Sequence, residues 1–291
     1  MFVQNNSIRA AKAYMQDRLH AQFSASELRQ IVRESICFRL DLSSSDYLLS
    51  DDQLLSESDL LFLRSIVKRL LNNEPFQYIM GFTHFCDLVI KTDARALIPR
   101  PETEELVNWI STHYSASQGL KVLDLCTGSG CIALALKHAQ PSWDIVGLDI
   151  SSQAIDLANE NANALDLNVD FRVGDVLEKN SLDQFEEESI DCIVSNPPYI
   201  PEADREQMEK NVLQYEPDLA LFVSDKDSLI FYRAIGFSAM KSVKPKGMVF
   251  FEIHEELGEK TIELMREIGF VNIELRKDLQ GKNRMLKLQK P

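Results

Sequence analysis

The residues with the clearest chemical potential are Asn196, Pro197, Pro198 and Tyr199, which directly follow the apolar run Ile190–Ser195. A short, β-branched apolar run of this kind is typical of a buried parallel strand. Two prolines end it, because neither can donate to a strand ladder and Pro197 forces Asn196 into an extended conformation. The pattern predicts an amide side chain and rigid carbonyls at the carboxyl edge of a sheet, where open α/β folds bind ligands.

This corner suits the positioning of a planar amino or amide group. The Asn196 side-chain oxygen and the Pro197 carbonyl are two acceptors, and a planar NH2 group presents two donors. The Tyr199 ring can pack against the same flat group. An Asn-Pro-Pro sequence can also serve merely as a strand terminator, since such dipeptides commonly mark turns. The remaining motifs decide between these two interpretations.

A glycine loop, Cys126–Gly130, follows another predicted strand at residues 122–125. Its glycines let a ligand approach the backbone closely, and the helix that follows offers free N–H groups. The glycine spacing fits the dinucleotide fingerprint G-x-G-x-x-G/A, with Asp149 about 20 residues further on as a ribose partner. On this motif alone, a nicotinamide oxidoreductase is an alternative.

Three carboxylates near strand ends favour a cationic ligand. Asp124 lies in the strand before the glycine loop, Asp149 ends the next strand, and Asp175 follows the third. A carboxylate beside the loop suits a cation better than a pyrophosphate, and Asp175 stands where an adenine amino group could be held. A cationic, adenosine-bearing cofactor without phosphates fits Asp124, Asp175 and the Asn196–Tyr199 corner, and S-adenosylmethionine is such a molecule. Each carboxylate could instead be a helix cap or a solvated turn residue.

The elements that must position these residues fall into three segments. Residues 1–75 have apolar positions at helical spacing and predict a small helical domain, with a loop at 42–52. Residues 76–98 predict a β-hairpin linker with its turn near Gly81. Residues 99–291 alternate strands with helices, which predicts a doubly wound, mainly parallel sheet. The strands are predicted over residues 122–125, 145–149, 169–173, 190–195, 247–253, 271–275 and 285–288.

Composition excludes several classes of protein. The 291 residues are 45% hydrophobic and 26% charged, as in ordinary soluble globular proteins. Residues 1–17 contain no apolar run that resembles a signal peptide, and no stretch approaches a membrane span. Five scattered cysteines without a Cys-x-x-Cys pair indicate reduced thiols and no zinc site. We expect a cytoplasmic protein that binds no metal and is a monomer.

The net charge of −14 is unevenly distributed. Residues 81–240 carry 11 Lys and Arg against 27 Asp and Glu, whereas residues 241–291 carry 11 against 8. So acidic a middle segment is a poor match for a polyphosphate duplex. The charge therefore argues against nucleic acid as the direct substrate.

Together, these motifs resemble those of the class I S-adenosylmethionine-dependent methyltransferases. More narrowly, they resemble the PrmC/HemK family of peptide-chain release factor N5-glutamine methyltransferases, nearly from end to end. Besides the motifs above, the resemblance includes Pro75–Phe85, Ile98–Glu104 and Asp278–Arg284. The last two segments are the more family-specific, because amino-methylating DNA enzymes share the Asn-Pro-Pro-Tyr motif.

This resemblance implies a fold and a substrate. The fold would be a Rossmann-like, seven-stranded methyltransferase sheet with a small N-terminal helical domain that recognises the partner. The acceptor would be the glutamine of the Gly-Gly-Gln motif in class I release factors, and the partner would be the release factor itself. Catalysis would be largely positioning of the weakly nucleophilic amide nitrogen.

The resemblance also implies the site residues. The catalytic residues would be Asn196, Pro197 and Tyr199. The residues implied to bind the substrate are Arg100, Pro101, Asn196, Pro197, Pro198 and Tyr199. The residues implied to bind S-adenosylmethionine and its product S-adenosylhomocysteine are Asp124, Cys126, Thr127, Gly128, Ser129, Gly130, Asp149, Ile150, Asp175, Val176 and Asn196.

One position departs from the family pattern. The family loop begins with Gly where this chain has Cys126. Because Cys is small, we expect the backbone path to persist if this residue avoids a positive φ angle, with its thiol beside the cofactor. The substitution would then affect cofactor affinity and not the fold.

Three alternatives remain on the residues alone. An adenine- or cytosine-amino DNA or RNA methyltransferase shares Asn196–Tyr199, but the acidic middle segment and the lack of a basic recognition domain oppose it. A nicotinamide oxidoreductase is opposed by the same motif and by the lack of a plausible hydride-transfer His or Lys. A non-catalytic S-adenosylmethionine-binding protein is opposed by the intact Asn-Pro-Pro-Tyr corner.

Overall fold

The computed structural model describes the chain except for residues 1–4 and 180, so the first four residues of the predicted helical domain lie outside it. The chain divides into two compact units. They consist of Met1–Gly81 with Glu209–Tyr215 and of Phe82–Met208 with Glu216–Pro291. No described helix is long and apolar enough to cross a membrane.

Helices and strands alternate along the second unit, whereas the first is helical. The helices are α1 (Ile8–Leu19), α2 (Ala25–Leu40), α3 (Ser44–Leu49), α4 (Glu57–Leu71), α5 (Phe76–Met80), α6 (Pro101–His113), α7 (Cys131–Ala139), α8 (Ser152–Leu165), α9 (Lys210–Tyr215), α10 (Asp218–Leu221), α11 (Ile230–Ser242) and α12 (Gly258–Ile268). The strands are β1 (Phe82–Phe85), β2 (Leu88–Lys91), β3 (Lys121–Leu125), β4 (Asp144–Asp149), β5 (Asp170–Val173), β6 (Ile190–Ser195), β7 (Ile200–Pro201), β8 (Phe222–Val223), β9 (Val243–Glu252), β10 (Val271–Lys277) and β11 (Asn283–Gln289).

In the helical unit, serine caps set where the helices begin. The side chains of Ser24 and Ser56 accept hydrogen bonds from the third residue of α2 and α4. The predicted loop at 42–52 is wrong in part, because it contains α3. Ser43 and Asp46 form a capping box there, and this Ser- and Asp-rich composition starts a helix as readily as it marks a loop.

The predicted hairpin exists, but its turn is not near Gly81. Residues 76–80 form α5, which Gly81 ends with a φ of 80°. The turn lies at Cys86 and Asp87, whose φ angles of 47° and 64° have the sign that a tight two-residue hairpin turn requires. Glycine at a helix end and glycine in a turn leave the same signal in a sequence, which accounts for the error.

The second unit is built around a seven-stranded sheet in the order β10-β11-β9-β6-β3-β4-β5. The strands β9, β6, β3, β4 and β5 run parallel, and β11 pairs antiparallel with β9 and β10. One apolar cluster lies against α6, α7 and α8 and includes Trp143 and Phe250, and another lies against α11 and α12 and includes Tyr232 and Phe251. The prediction of a doubly wound, seven-stranded sheet is confirmed.

The strand order places a crevice between β3 and β6. From β3 the chain moves outward to β4 and β5, then returns to β6 on the other side of β3. The connections that leave the carboxyl ends of β3 and β6 therefore diverge, and ligands bind at such a switch point. The segment from β7 to β8 follows the Asn-Pro-Pro-Tyr corner and was absent from the predicted elements.

Candidate active site

A cleft with an empty volume of about 1090 Å³, including the part open to solvent, lies at the carboxyl ends of these parallel strands. Most of the site residues that were predicted from the sequence line this cleft. Those residues are Arg100, Cys126, Thr127, Gly128, Ser129, Asp149, Ile150, Asp175, Val176, Asn196 and Pro198. Of the described residues that were predicted, the ones outside this lining are Pro101, Asp124, Gly130, Pro197 and Tyr199.

The glycine loop is shaped by its glycines and by Phe171. Gly128 and Gly130 have φ angles of 55° and 80°, in the left-handed region that favours glycine. A Cβ atom on Gly130 would lie 2.7 Å from Cζ of Phe171. The Gly130 N–H donates to the Thr127 carbonyl, and Gly130 caps the start of α7. Gly130 therefore shapes the loop from below, which explains its place outside the cleft lining.

Asp124 is fully buried beneath the same loop. Its Oδ2 accepts hydrogen bonds from the Thr127 hydroxyl at 2.5 Å and the Ala133 N–H at 3.2 Å. Its Oδ1 has no partner within the described chain, and the same holds for the buried Ser129 hydroxyl. Burial raises the pKa of Asp124 to about 7, although both hydrogen bonds favour the ionised form.

This raised pKa makes the stability of the protein depend on pH. The folded-state pKa of Asp124 lies above its ordinary value of 3.8, so the stabilisation present below pH 4 is lost as the pH rises through 7. Relative to Asp124→Asn, we expect the free energy of unfolding of the wild type to fall by roughly 4 kcal/mol between pH 4 and pH 8. Urea denaturation of both proteins across this range measures it, and a constant difference would contradict it.

Cys126 does not avoid a positive φ angle, so the condition that we attached to persistence of the backbone path is not met. Its φ is 60°. The chain is held on both sides of the residue, because the Ser195 hydroxyl donates to the Leu125 carbonyl at 2.6 Å and the Thr127 N–H donates to the Leu148 carbonyl at 2.9 Å. The turn therefore occurs at Cys126 whatever side chain stands there. Burial raises the pKa of its thiol, so the thiol stays protonated.

The cost of this conformation is measurable with two substitutions that both remove the sulfur. Only Cys126→Gly relieves the left-handed backbone, whereas Cys126→Ala keeps it. We expect the glycine variant to have a free energy of unfolding about 1 kcal/mol larger than the alanine variant. Urea denaturation compares them, and equal stabilities would show that the positive φ angle costs nothing.

Asp149 fixes the other side of the loop. Its Oδ2 accepts from the Gly128 N–H at 2.9 Å, and its Oδ1 accepts from the Ser151 N–H at 2.9 Å. Burial raises the pKa of Asp149, and these two backbone donors oppose the shift. Asp175 is half-buried, and its Oδ1 accepts from the Leu177 N–H at 2.8 Å.

The charges around the cleft fit a cationic cofactor better than a dinucleotide. Arg95 is paired with Asp93 and Glu160, and Arg100 with Glu216, so neither lining arginine is free to neutralise a phosphate. The Gly128 N–H, which would face a pyrophosphate, already donates to a carboxylate. With the carboxylates of Asp149 and Asp175 in its lining, the site fits S-adenosylmethionine.

The Asn-Pro-Pro-Tyr corner lies at the end of β6 and is anchored by Thr103 and Glu252, neither of which was predicted as a site residue. The Asn196 side-chain N–H donates to the Thr103 hydroxyl at 3.3 Å, and the Tyr199 hydroxyl donates to Glu252 at 3.1 Å. The Tyr199 ring meets His254 edge to face, with ring centroids 6.1 Å apart. That Tyr199 packs on a substrate amide remains a prediction.

The comparisons with known proteins agree with this geometry. Residues 102–215 match the methyltransferase small domain, and residues 11–81 match the PrmC N-terminal domain. A release factor glutamine methyltransferase from Flavobacterium psychrophilum is 40% identical over 85% of this chain and 86% of that protein. The chain belongs to the release factor glutamine methyltransferase family. A family relative from Bacteroides thetaiotaomicron is 37% identical over 94% of this chain and 97% of its own length.

Solved structures agree with the fold. A methyltransferase from Pyrococcus furiosus has a TM-score of 0.52 and 16% identity, and the alignment covers 77% of this chain and 96% of that chain. Likeness at this level of identity supports the Rossmann-like methyltransferase architecture and nothing finer. The fold expected for a release factor glutamine methyltransferase is therefore present.

In this member of the release factor glutamine methyltransferase family, buried carboxylates organise the cleft walls. Glu216 accepts from the Ile98 N–H at 3.1 Å and from the Arg100 guanidinium at 2.6 Å. Glu252 accepts from the Thr103 hydroxyl at 2.7 Å. A lone carboxylate after the apolar run Met248–Phe251 is a sequence signal that could have identified Glu252. Glu216 carries no comparable local signal.

Proposed function

We propose that the protein methylates the side-chain amide nitrogen of the glutamine in the Gly-Gly-Gln motif of class I peptide-chain release factors. The observation that carries this proposal is the corner at Asn196, whose amide lies in the cleft lining with its nitrogen held by Thr103. Its oxygen is thereby left to accept from a substrate NH2 group. Family membership supports the same reaction and the same acceptor.

The residues around the glycine loop would hold S-adenosylmethionine. Asp149 would accept from the ribose hydroxyls, and Asp175 with Val176 would hold the adenine at the end of β5. The loop Cys126–Gly130 would provide the backbone surface, and Asp124 would support that loop from beneath. The cofactor supplies an electrophilic methyl group on a sulfonium and leaves as S-adenosylhomocysteine.

The corner would act on the substrate mainly by positioning. An amide nitrogen is a weak nucleophile because its lone pair is delocalised into the carbonyl group. Asn196 Oδ1 and the Pro197 carbonyl would each accept one N–H of the substrate amide, which fixes the nitrogen in one orientation. As the nitrogen gains positive charge, these N–H groups become stronger donors, so both acceptors stabilise the transition state more than the ground state. Because Asn is no general base, the proton leaves to water.

The remaining substrate contacts and the location of the protein belong to the same proposal. Arg100, Pro101 and Pro198 would line the path of the release factor loop toward Asn196. The helical domain, residues 1–75, would recognise the release factor, residues 76–98 would link it, and residues 99–291 would carry out methylation. The reaction would occur in the cytoplasm, where translation factors act, with the enzyme as a monomer.

Transfer of a labelled methyl group tests the function directly. The purified protein and labelled S-adenosylmethionine are incubated with a wild-type release factor, with its Gly-Gly-Gln glutamine changed to alanine, and with duplex DNA. We expect label on the wild-type factor alone. Label on DNA would favour the amino-methylating DNA enzyme, and no transfer despite tight cofactor binding would favour the non-catalytic alternative.

A further inference from the structure

Glu252 is a buried carboxylate at the carboxyl end of β9 that the proposed function does not use. The residue is 1% exposed. Its Oε2 accepts from the Thr103 hydroxyl at 2.7 Å, and its Oε1 accepts from the Tyr199 hydroxyl at 3.1 Å. The Tyr232 hydroxyl donates to its backbone carbonyl at 3.1 Å. Every one of these contacts brings a donor to Glu252.

The hydrogen-bond chain from Glu252 to Asn196 has only one possible direction when Glu252 is ionised. A carboxylate accepts and cannot donate, so the single Thr103 hydroxyl proton must point at Glu252. The Thr103 oxygen can then only accept from its other neighbour, the Asn196 side chain at 3.3 Å. An accepting oxygen selects the NH2 end of that amide, which turns Asn196 Oδ1 away from Thr103 and toward the cleft.

We propose that Glu252 and Thr103 are positioning residues that fix the orientation of the Asn196 side-chain amide. The inference rests on the proposed function, which needs Asn196 Oδ1 as an acceptor. The oxygen and NH2 ends of an asparagine amide are nearly equal in size, so packing alone selects poorly between them. In the reversed orientation, Asn196 would present its NH2 group to the substrate NH2 group, and two donors would face each other.

Hydrogen-bond donors and a nearby positive charge hold Glu252 in place and favour its ionised form, against a burial that favours the protonated one. Burial raises its pKa, whereas the Thr103 and Tyr199 hydroxyls and the positive charge of Arg284 oppose that shift, and Glu102 adds to it. Arg284 is held by Asp278 at 3.1 Å.

Residues of α6 hold the turn that contains Asp278 and Arg284. The Leu279 N–H donates to Glu105 at 3.1 Å, and the Gln280 side-chain amide donates to Glu102 at 3.3 Å. The segments Ile98–Glu104 and Asp278–Arg284, which are the most family-specific parts of the sequence, therefore meet around this one carboxylate.

The kinetic test uses two substitutions of Thr103. Thr103→Val keeps the shape of the side chain and removes the hydroxyl, whereas Thr103→Ser keeps the hydroxyl. We expect Thr103→Val to lower kcat for release factor methylation about 30-fold, with KM and the affinity for S-adenosylmethionine unchanged, because the lost interaction acts in the transition state. Thr103→Ser should remain within about threefold of the wild type. An unchanged kcat in Thr103→Val would overturn the proposal.

A second measurement does not require any enzymatic activity. In protein labelled with ¹⁵N-asparagine, the Asn196 side-chain resonances are identified by their loss in Asn196→Ala. We expect nuclear Overhauser contacts between the Asn196 NH2 protons and the Thr103 side chain in the wild type. Their absence, with the NH2 group directed into the cleft, would overturn the inference even where Thr103→Val fails to fold.

The two measurements also separate this inference from the proposed function. If the wild type does not methylate a release factor but the nuclear Overhauser contacts are present, the function is wrong and the orientation stands. If the wild type methylates the factor and Thr103→Val does so at the same rate, the function stands and the positioning role is wrong.

Discussion

Asn196→Ala is expected to lower kcat for release factor methylation by about 10³-fold while it leaves the affinity for S-adenosylmethionine within a few-fold of the wild type. The substitution removes one of the two acceptors that would orient the substrate amide and that would tighten as its nitrogen gains charge. Because the only hydrogen bond of the Asn196 side chain to another described residue is the one from its amide nitrogen to Thr103, the fold loses little. Single-turnover methyl transfer and isothermal titration calorimetry measure the two quantities.

The matched control for this substitution is Asn163→Ala, an exposed asparagine on α8. We expect wild-type kcat from it. Full activity in Asn196→Ala with the cofactor bound would show that the corner does not position the acceptor. An equal loss of kcat and cofactor affinity would place Asn196 in cofactor binding instead.

The second large effect is expected from Asp149→Ala, which should weaken S-adenosylmethionine binding about 100-fold. The substitution removes the carboxylate assigned to the ribose hydroxyls. It also leaves the Gly128 and Ser151 N–H groups without their acceptor, so the glycine loop loses its anchor. We expect kcat at saturating cofactor to fall far less than the affinity, since Asp149 lies away from the corner at Asn196.

Asp144→Ala is the matched control, because Asp144 is an exposed carboxylate at the opposite end of the same strand, β4. Asp144→Ala should leave the dissociation constant for S-adenosylmethionine unchanged. Calorimetry with S-adenosylmethionine and with S-adenosylhomocysteine measures both variants. If Asp149→Ala binds as tightly as Asp144→Ala, the ribose assignment is wrong.

Asn196 lies on the connection after β6, and Asp149, at the end of β4, holds the connection after β3 through the Gly128 N–H. The two variants therefore affect both connections that diverge at the switch point of the sheet. In the proposed function, the connection after β3 would hold the cofactor, and the connection after β6 would hold the substrate amide. The Ser195 hydroxyl joins the strand ends by donating to the Leu125 carbonyl. In the proposed function, the parallel pairing of β3 with β6 would therefore set the distance between the methyl donor and the acceptor nitrogen.

The sequence by itself determined the fold class and identified site residues of which most line the cleft. Apolar runs that end in Asp149, Asp175 and Asn196 identify parallel strands by local composition, and parallel strands place such ends at one edge of a sheet. The spacing of apolar residues and the residues that end helices and strands are local properties, so they can be read directly from a sequence. Errors arose where one local signal has two structural meanings, as with Gly81 and with the serines before α3.

Only the tertiary structure decided which partners these residues have. Glu252 is 149 residues from Thr103 along the chain, and Glu216 is 116 residues from Arg100, yet each pair shares a short hydrogen bond. The left-handed conformation of Cys126 likewise follows from anchors at Leu148 and Ser195 and not from its own residue type. Contacts of this kind depend on which strands lie side by side, and strand order is a property of the whole sheet that no local window of sequence contains.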